Sequence, residues 1–64
     1  MAGLYRPLAQ RLRDAGCHIK RQGKGSHEIW YSAITQRTFV VPANLKSQKL
    51  ADEILKQAGL SKSP

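Results

Sequence analysis

The residues whose types could do chemistry are concentrated between Gly23 and Tyr31, in the stretch GKGSHEIWY. A basic, glycine-flanked turn leads into Ser26 and His27 before the chain becomes apolar. A free imidazole has a pKa of about 6.5, so it both accepts and donates protons near neutral pH. This chemistry suits RNA cleavage, in which one group takes the proton of a ribose 2′-hydroxyl and another protonates the departing 5′-oxygen. Such a reaction needs no metal and no cofactor, and we expect neither.

The residues around this histidine could hold a phosphate. Lys24 supplies positive charge, and the backbone N–H groups of Gly25 and Ser26 follow it directly. Glycine lets a backbone approach a phosphate closely. Lys20 and Arg21 precede the turn and are the other cations that we expect to bind the substrate. From spacing alone, an ordinary polar residue at the start of a strand remains the simpler interpretation of the histidine.

The other potentially reactive side chains are assigned structural roles. His18 lies in the first predicted strand, where we expect an exposed bystander. Cys17 alternates with Ile19 toward the presumed core, and no neighbour that would lower the pKa of a thiol is apparent. We therefore predict that Cys17 is a small buried apolar residue.

Two adjacent aromatic residues, Trp30 and Tyr31, could each stack on a nucleic-acid base. Adjacent residues of a strand face opposite sides of the sheet, so one of the two is expected in the core. Alternation along the strand groups Tyr31 with His27 and Ile29, whereas Trp30 shares its face with Glu28.

Length and charge restrict the class of protein. Sixty-four residues form one domain, residues 1–64, with a frayed tail expected at residues 61–64. The net charge of +7 predicts contact with phosphates, with an acidic protein partner, or with both. A single cysteine and two histidines offer neither a disulfide nor a zinc-ligand spacing. No apolar stretch has the character of a signal peptide or the length of a membrane span, so we expect a cytoplasmic protein with no membrane contact.

Hydrophobic spacing predicts two helices and three strands. The predicted elements are a helix over residues 7–15, strands over residues 17–22, 26–32 and 37–42, and a helix over residues 47–58. Pro7 is expected to begin the first helix, while Gly16 and Gly59 are expected to end the two helices. The turn over residues 23–25 joins the first two strands.

This element order predicts an α+β fold of the α-β-β-β-α type. A three-stranded antiparallel sheet can bury one face and leave the other in solvent, and both helices have an apolar stripe for the buried face. Two helices on one face of such a sheet form the arrangement of a double-stranded-RNA-binding domain. Because a fold does not define a function, the function must be argued from particular residues.

Three stretches carry a family resemblance: GKGSHEIWY, LRDAGCHIKRQ before it, and VVP with ILKQAGL after it. Together with the chain length and element order, they resemble the HicA toxin family of bacterial toxin–antitoxin systems over residues 4–60. That family has a glycine–serine–histidine motif at the start of its second strand, and His27 matches its histidine. The resemblance implies a ribosome-independent toxin that cleaves mRNA, with His27 catalytic and a HicB antitoxin as its inhibitor.

The sequence departs from the family pattern after the third predicted strand. Many members carry a histidine shortly after the proline that ends this strand, whereas here Pro42 is followed by Ala43 and Asn44. The second proton-transfer group is therefore left open, as is the oligomeric state.

Two further functions compete with a metal-independent endoribonuclease. The first is a non-catalytic module that binds double-stranded RNA through phosphates and 2′-hydroxyls, for which a titratable group at a strand start is unnecessary. The second is a basic protein whose charge serves only an acidic partner. Cleavage of RNA distinguishes the enzyme from both.

Overall fold

The computed structural model describes residues 3–60, and the tail predicted at residues 61–64 lies outside this range. The chain forms α1 (Tyr5–Asp14), β1 (His18–Gln22), β2 (His27–Ser32), β3 (Arg37–Pro42) and α2 (Gln48–Gln57). The strands make one antiparallel sheet in the order β1-β2-β3, so β2 is central. This confirms the predicted α+β fold and its α-β-β-β-α order.

One face of the sheet, here called the inner face, carries the core. Trp30, Phe39 and Val41 are buried on this face. They form a single cluster with apolar residues of both helices: Leu8, Ala9 and Leu12 of α1 and Ala51, Ile54 and Leu55 of α2. Both helices therefore pack on the inner face, and the opposite, outer face of the sheet is left uncovered.

The first helix begins at Tyr5, two residues before the predicted start at Pro7. The N–H of Leu4 donates to the carbonyl of Leu45 at 2.9 Å, and the Leu4 carbonyl accepts from Leu8 at 3.2 Å, which fixes the first turn. The first four N–H groups of a helix have no partner within it, so a proline is tolerated throughout the first turn and does not mark its first residue. In residues 3–60, neither helix is long and apolar enough to cross a membrane.

Both helices end at the predicted glycines. After α1, Gly16 has φ +94° and the N–H of Cys17 bonds to the Leu12 carbonyl at 2.9 Å. After α2, Gly59 has φ +90° and the N–H of Leu60 bonds to the Leu55 carbonyl at 2.8 Å. This is the Schellman arrangement, which requires a left-handed residue and therefore favours glycine.

The first strand departs from simple alternation. Ile19 pairs with Trp30, but the next pair is Arg21 with Ile29, so Lys20 is an extra residue in a β-bulge. Cys17 is buried as predicted, whereas Ile19, also predicted to face the core, is 38% exposed. Ile19 precedes the bulge and pairs with Trp30, so it is on the inner face, but it stays partly exposed because β1 is an edge strand of the sheet.

Candidate nucleic-acid interface

His27 is the first residue of β2, and its side chain is exposed to solvent. Its backbone is held firmly: the N–H donates to the Lys24 carbonyl at 2.9 Å, and the carbonyl accepts from Gly23 N–H at 2.9 Å and from the Gln22 carboxamide at 3.0 Å. Within residues 3–60, the imidazole has no hydrogen-bond partner. The ring is therefore accessible to a ligand while its attachment point is fixed.

The turn before His27 is open to solvent at Gly25. Gly25 has φ +57°, and a β-carbon added there would meet no atom within 4 Å. Within residues 3–60, the N–H groups of Gly25 and Ser26 donate no hydrogen bond. Free, adjacent N–H groups at a turn attract anions, and the exposed Lys24 adds a full positive charge beside them.

The loop after β3 lies against this turn. The N–H of Ala43 donates to the Ser26 carbonyl at 2.7 Å, and the Ser26 hydroxyl is 3.4 Å from the carboxamide oxygen of Asn44. No role for Asn44 was predicted from the sequence. The sequence did offer a hint, because Asn44 falls in the segment after Pro42 where the sequence departs from the pattern of the family that it resembles.

The two basic residues of β1 lie at different distances from His27. Arg21 is opposite Ile29, two residues from His27 on the same face, and such diagonal neighbours are about 7–8 Å apart. Lys20 lies farther from His27: its ammonium is 5.9 Å from the centre of the Tyr31 ring. Lys24, Gly25 and Ser26 thus directly precede His27, and Arg21 is its diagonal neighbour on β1, whereas Lys20 lies toward the other end of the outer face.

Glu28 follows His27 in sequence, but its side chain lies on the inner face of the sheet. One of its carboxylate oxygens accepts from the Tyr5 hydroxyl at 2.6 Å and from the Trp30 indole N–H at 3.0 Å. Burial raises the pKa of the Tyr5 phenol above its ordinary value, and the hydrogen bond to Glu28 raises it further. These bonds tie α1 to β2, and they direct the carboxylate away from the imidazole on the opposite face.

The remaining candidates match their predicted environments. Cys17 is a buried free thiol, and His18 is exposed. Of the two aromatic neighbours, Trp30 is the core residue, with no exposed surface, and Tyr31 is half-buried on the outer face. In the described part of the chain, no group of three or more His, Cys, Asp or Glu side chains is placed to hold a metal ion.

Together, the fold and the site define a class: small, basic α-β-β-β-α proteins with an exposed imidazole beside an open, cationic turn. The sequence model of the HicA toxin of bacterial toxin–antitoxin systems matches residues 5–60. The chain belongs to the HicA toxin family, as the sequence resemblance predicted. It is thus the toxin of a toxin–antitoxin pair, with an antitoxin as its partner. Comparisons with curated proteins and with solved structures found no match.

Proposed function

We propose that this toxin is an endoribonuclease that cleaves mRNA by metal-independent transesterification, with His27 in acid–base catalysis. Because mRNA is the proposed substrate, the proposed place of action is the cytoplasm, and the proposed inhibitor is a HicB-type antitoxin. The observation that carries the proposal is the exposed imidazole of His27, which has no hydrogen-bond partner within residues 3–60 and lies beside a cationic turn, in a chain of the HicA toxin family.

The reaction requires one proton to be removed and one to be supplied. The imidazole of His27 takes the 2′-hydroxyl proton, and the 2′-oxygen forms a bond to the adjacent phosphorus. The bond from phosphorus to the 5′-oxygen breaks, and that oxygen takes a proton from the imidazolium or from water. The products are a 2′,3′-cyclic phosphate and a 5′-hydroxyl. Asn44 can donate a hydrogen bond to the phosphate, but a carboxamide does not titrate and transfers no proton.

The turn and β1 supply the groups that hold the phosphate. Lys24 contributes charge, and the N–H groups of Gly25 and Ser26, which donate no hydrogen bond within residues 3–60, are suited to its non-bridging oxygens. Arg21 is the second cation in reach, and Lys20 binds a phosphate farther along the strand. Donors that are already in place when negative charge grows on the phosphate stabilise the transition state more than the ground state.

The test compares the wild-type protein with His27→Ala on a short single-stranded RNA. We expect His27→Ala to lower the cleavage rate by about 10²- to 10⁴-fold, the usual contribution of general acid–base catalysis, with an unchanged circular dichroism spectrum. Wild-type cleavage should persist in excess EDTA, and a substrate with 2′-deoxyribose 5′ to the scissile bond should bind but resist cutting. Mass spectrometry should find a cyclic phosphate and a 5′-hydroxyl.

His18→Ala is the matched control, because it removes the other imidazole of the chain. We expect it to keep kcat, with any change falling on KM. A 5′-phosphate product together with loss of activity in EDTA would contradict the mechanism. Binding of double-stranded RNA with no cleavage by the wild-type protein would favour the non-catalytic module instead.

A further inference from the structure

Tyr31 is the one Phe, Tyr or Trp residue of β1, β2 and β3 whose ring lies on the outer face of the sheet. Strand alternation places Tyr31, Ile29 and His27 on this face of β2, because Trp30 is fully buried on the inner face. Tyr31 lies four residues from His27 on the same strand, which corresponds to about 13 Å at the usual strand rise. The phenol ring of Tyr31 and the imidazole of His27 therefore lie on the same uncovered face, near opposite ends of β2.

Two basic residues of β1, Lys20 and Arg21, lie on the same face as this ring, and the bulge brings Arg21 there. His18 pairs directly with Tyr31, and their rings are 5.5 Å apart between centres at an interplanar angle of 40°. Lys20, the extra residue of the bulge, places its ammonium 5.9 Å from the centre of the Tyr31 ring. Without the bulge, strict alternation would put Lys20 and Arg21 on opposite faces. With it, both reach the outer face.

The charge on this face has a single sign. The chain contains four acidic residues, and none belongs to the outer face. Asp14 ends α1, Glu28 bonds to inner-face groups, and Asp52 and Glu53 lie in α2. The rest of the outer face is partly apolar, with Val40 of β3 47% exposed and adjacent to Ile29. The uncovered face of a sheet is usually polar. Exposed apolar surface beside the ring of Tyr31 and the basic residues Lys20 and Arg21 therefore indicates a site for a ligand.

We propose that the outer face between His27 and Tyr31 is the track of a single-stranded RNA, with an unpaired base stacked on Tyr31. Lys20 binds the phosphate next to that base, and the chain then passes Arg21 to reach His27. This inference rests on the proposed function and adds a substrate class and a second subsite to it. Unpaired bases expose the π-faces that stack on aromatic rings, whereas duplex RNA offers mainly phosphates and 2′-hydroxyls.

The experiment measures affinity in the His27→Ala background, so that no substrate is consumed. Tyr31→Ala should weaken binding of a single-stranded RNA about 5- to 150-fold, the usual contribution of one stacked base, and should leave the affinity for a duplex of the same sequence unchanged. Tyr31→Phe keeps the ring and should bind nearly as tightly as the parent. A fluorescent adenine analogue in the single strand should be quenched by the parent and by Tyr31→Phe, and not by Tyr31→Ala.

A charge-matched pair tests the phosphate contact independently of the ring. Lys20→Gln should weaken single-strand binding and lower its salt dependence, whereas Lys56→Gln, the same charge change in the last turn of α2, should do neither. Lys20→Gln keeps most of the local packing, and the quenching of the adenine analogue is read in the parent itself. These two measurements decide the question even where Tyr31→Ala fails to fold by circular dichroism.

The outcomes separate this inference from the proposed function. If the wild type cleaves RNA but Tyr31→Ala and Lys20→Gln bind single strands as the parent does, the track is wrong and the function stands. If these variants weaken binding and the wild type does not cleave, the track stands and the function is wrong. Weaker binding of the antitoxin alone, with RNA affinity unchanged, would overturn the track and make this face a protein interface.

Discussion

The Ser26 hydroxyl lies 3.4 Å from the carboxamide oxygen of Asn44, which joins the turn before β2 to the loop after β3. Within residues 3–60 the amide NH₂ of Asn44 donates no hydrogen bond, so it is available to a ligand beside the turn that precedes His27. It brings a residue 17 positions from His27 in sequence to the proposed phosphate site.

Asn44→Ala is expected to lower kcat/KM about tenfold, since one hydrogen bond to a charged group is worth about 1.5 kcal/mol or somewhat more. Asn44→Asp should lower it further, because its carboxylate would repel the phosphate. The measurement is single-turnover cleavage. Gln57→Ala at the end of α2 removes the same carboxamide elsewhere and should have no effect. An Asn44→Ala rate equal to that of Gln57→Ala would remove Asn44 from the site.

Lys24 should contribute to affinity through counterion release. For a single strand, the slope of log K against log salt is about −0.7 per neutralised phosphate, so Lys24→Ala should make the slope less steep by about that amount. Lys56→Ala, which changes the net charge equally, should leave the slope unchanged. Titrations by fluorescence anisotropy at several salt concentrations give both slopes, and equal slopes for the two variants would argue that Lys24 contacts no phosphate.

The antitoxin is expected to cover His27 or to present acidic groups to Lys24 and Arg21. The reason is that complementary charge is the main basis on which a partner can recognise a protein of net charge +7. Inhibition should then be competitive with RNA and should weaken as salt rises. Steady-state kinetics with a HicB-type antitoxin tests both points. A complex that cuts RNA at the rate of the free toxin would show that inhibition does not act by occlusion.

The hydrogen bond from Tyr5 to Glu28 should make stability sensitive to alkaline pH. Because the pKa of Tyr5 is raised in the fold by burial and by this bond, its contribution is complete below the unfolded pKa of 10.0 and is lost as the pH rises through the higher folded value. Tyr5→Phe should cost about 1 kcal/mol at neutral pH. The difference from wild type should shrink above the unfolded pKa.

Urea unfolding at several pH values measures this difference, and the lysines cancel because both proteins contain them. If the two proteins lost stability in parallel above the unfolded pKa, the phenol of Tyr5 would not be linked to folding.

Local periodicity determined most of the elements. The predicted stripe of α2 is buried at Ala51, Ile54 and Leu55, and β3 has its predicted bounds. The predicted glycine ends of both helices are confirmed by the positive φ of Gly16 and Gly59. These features depend on residues only a few positions apart, so the pattern of side chains along the chain is sufficient to predict them.

Part of the candidate site is local in the same sense. Lys24, Gly25, Ser26 and His27 lie together because they are contiguous in one tight turn. Their roles toward RNA stay predictions, but their proximity required no tertiary information. Alternation also separated Tyr31 from Trp30 correctly.

Tertiary structure decided the rest. Alternation says that Trp30 and Tyr31 face opposite sides, but only the packing of both helices against one side made Trp30 the core residue. The bulge at Lys20 arises from the pairing of β1 with β2, and it brings Arg21 to the outer face, which Lys20 shares with Tyr31. Asn44 reaches Ser26 only because β3 returns beside β2. Register and loop packing are set by contacts between segments distant in sequence, so no local pattern of side chains encodes them.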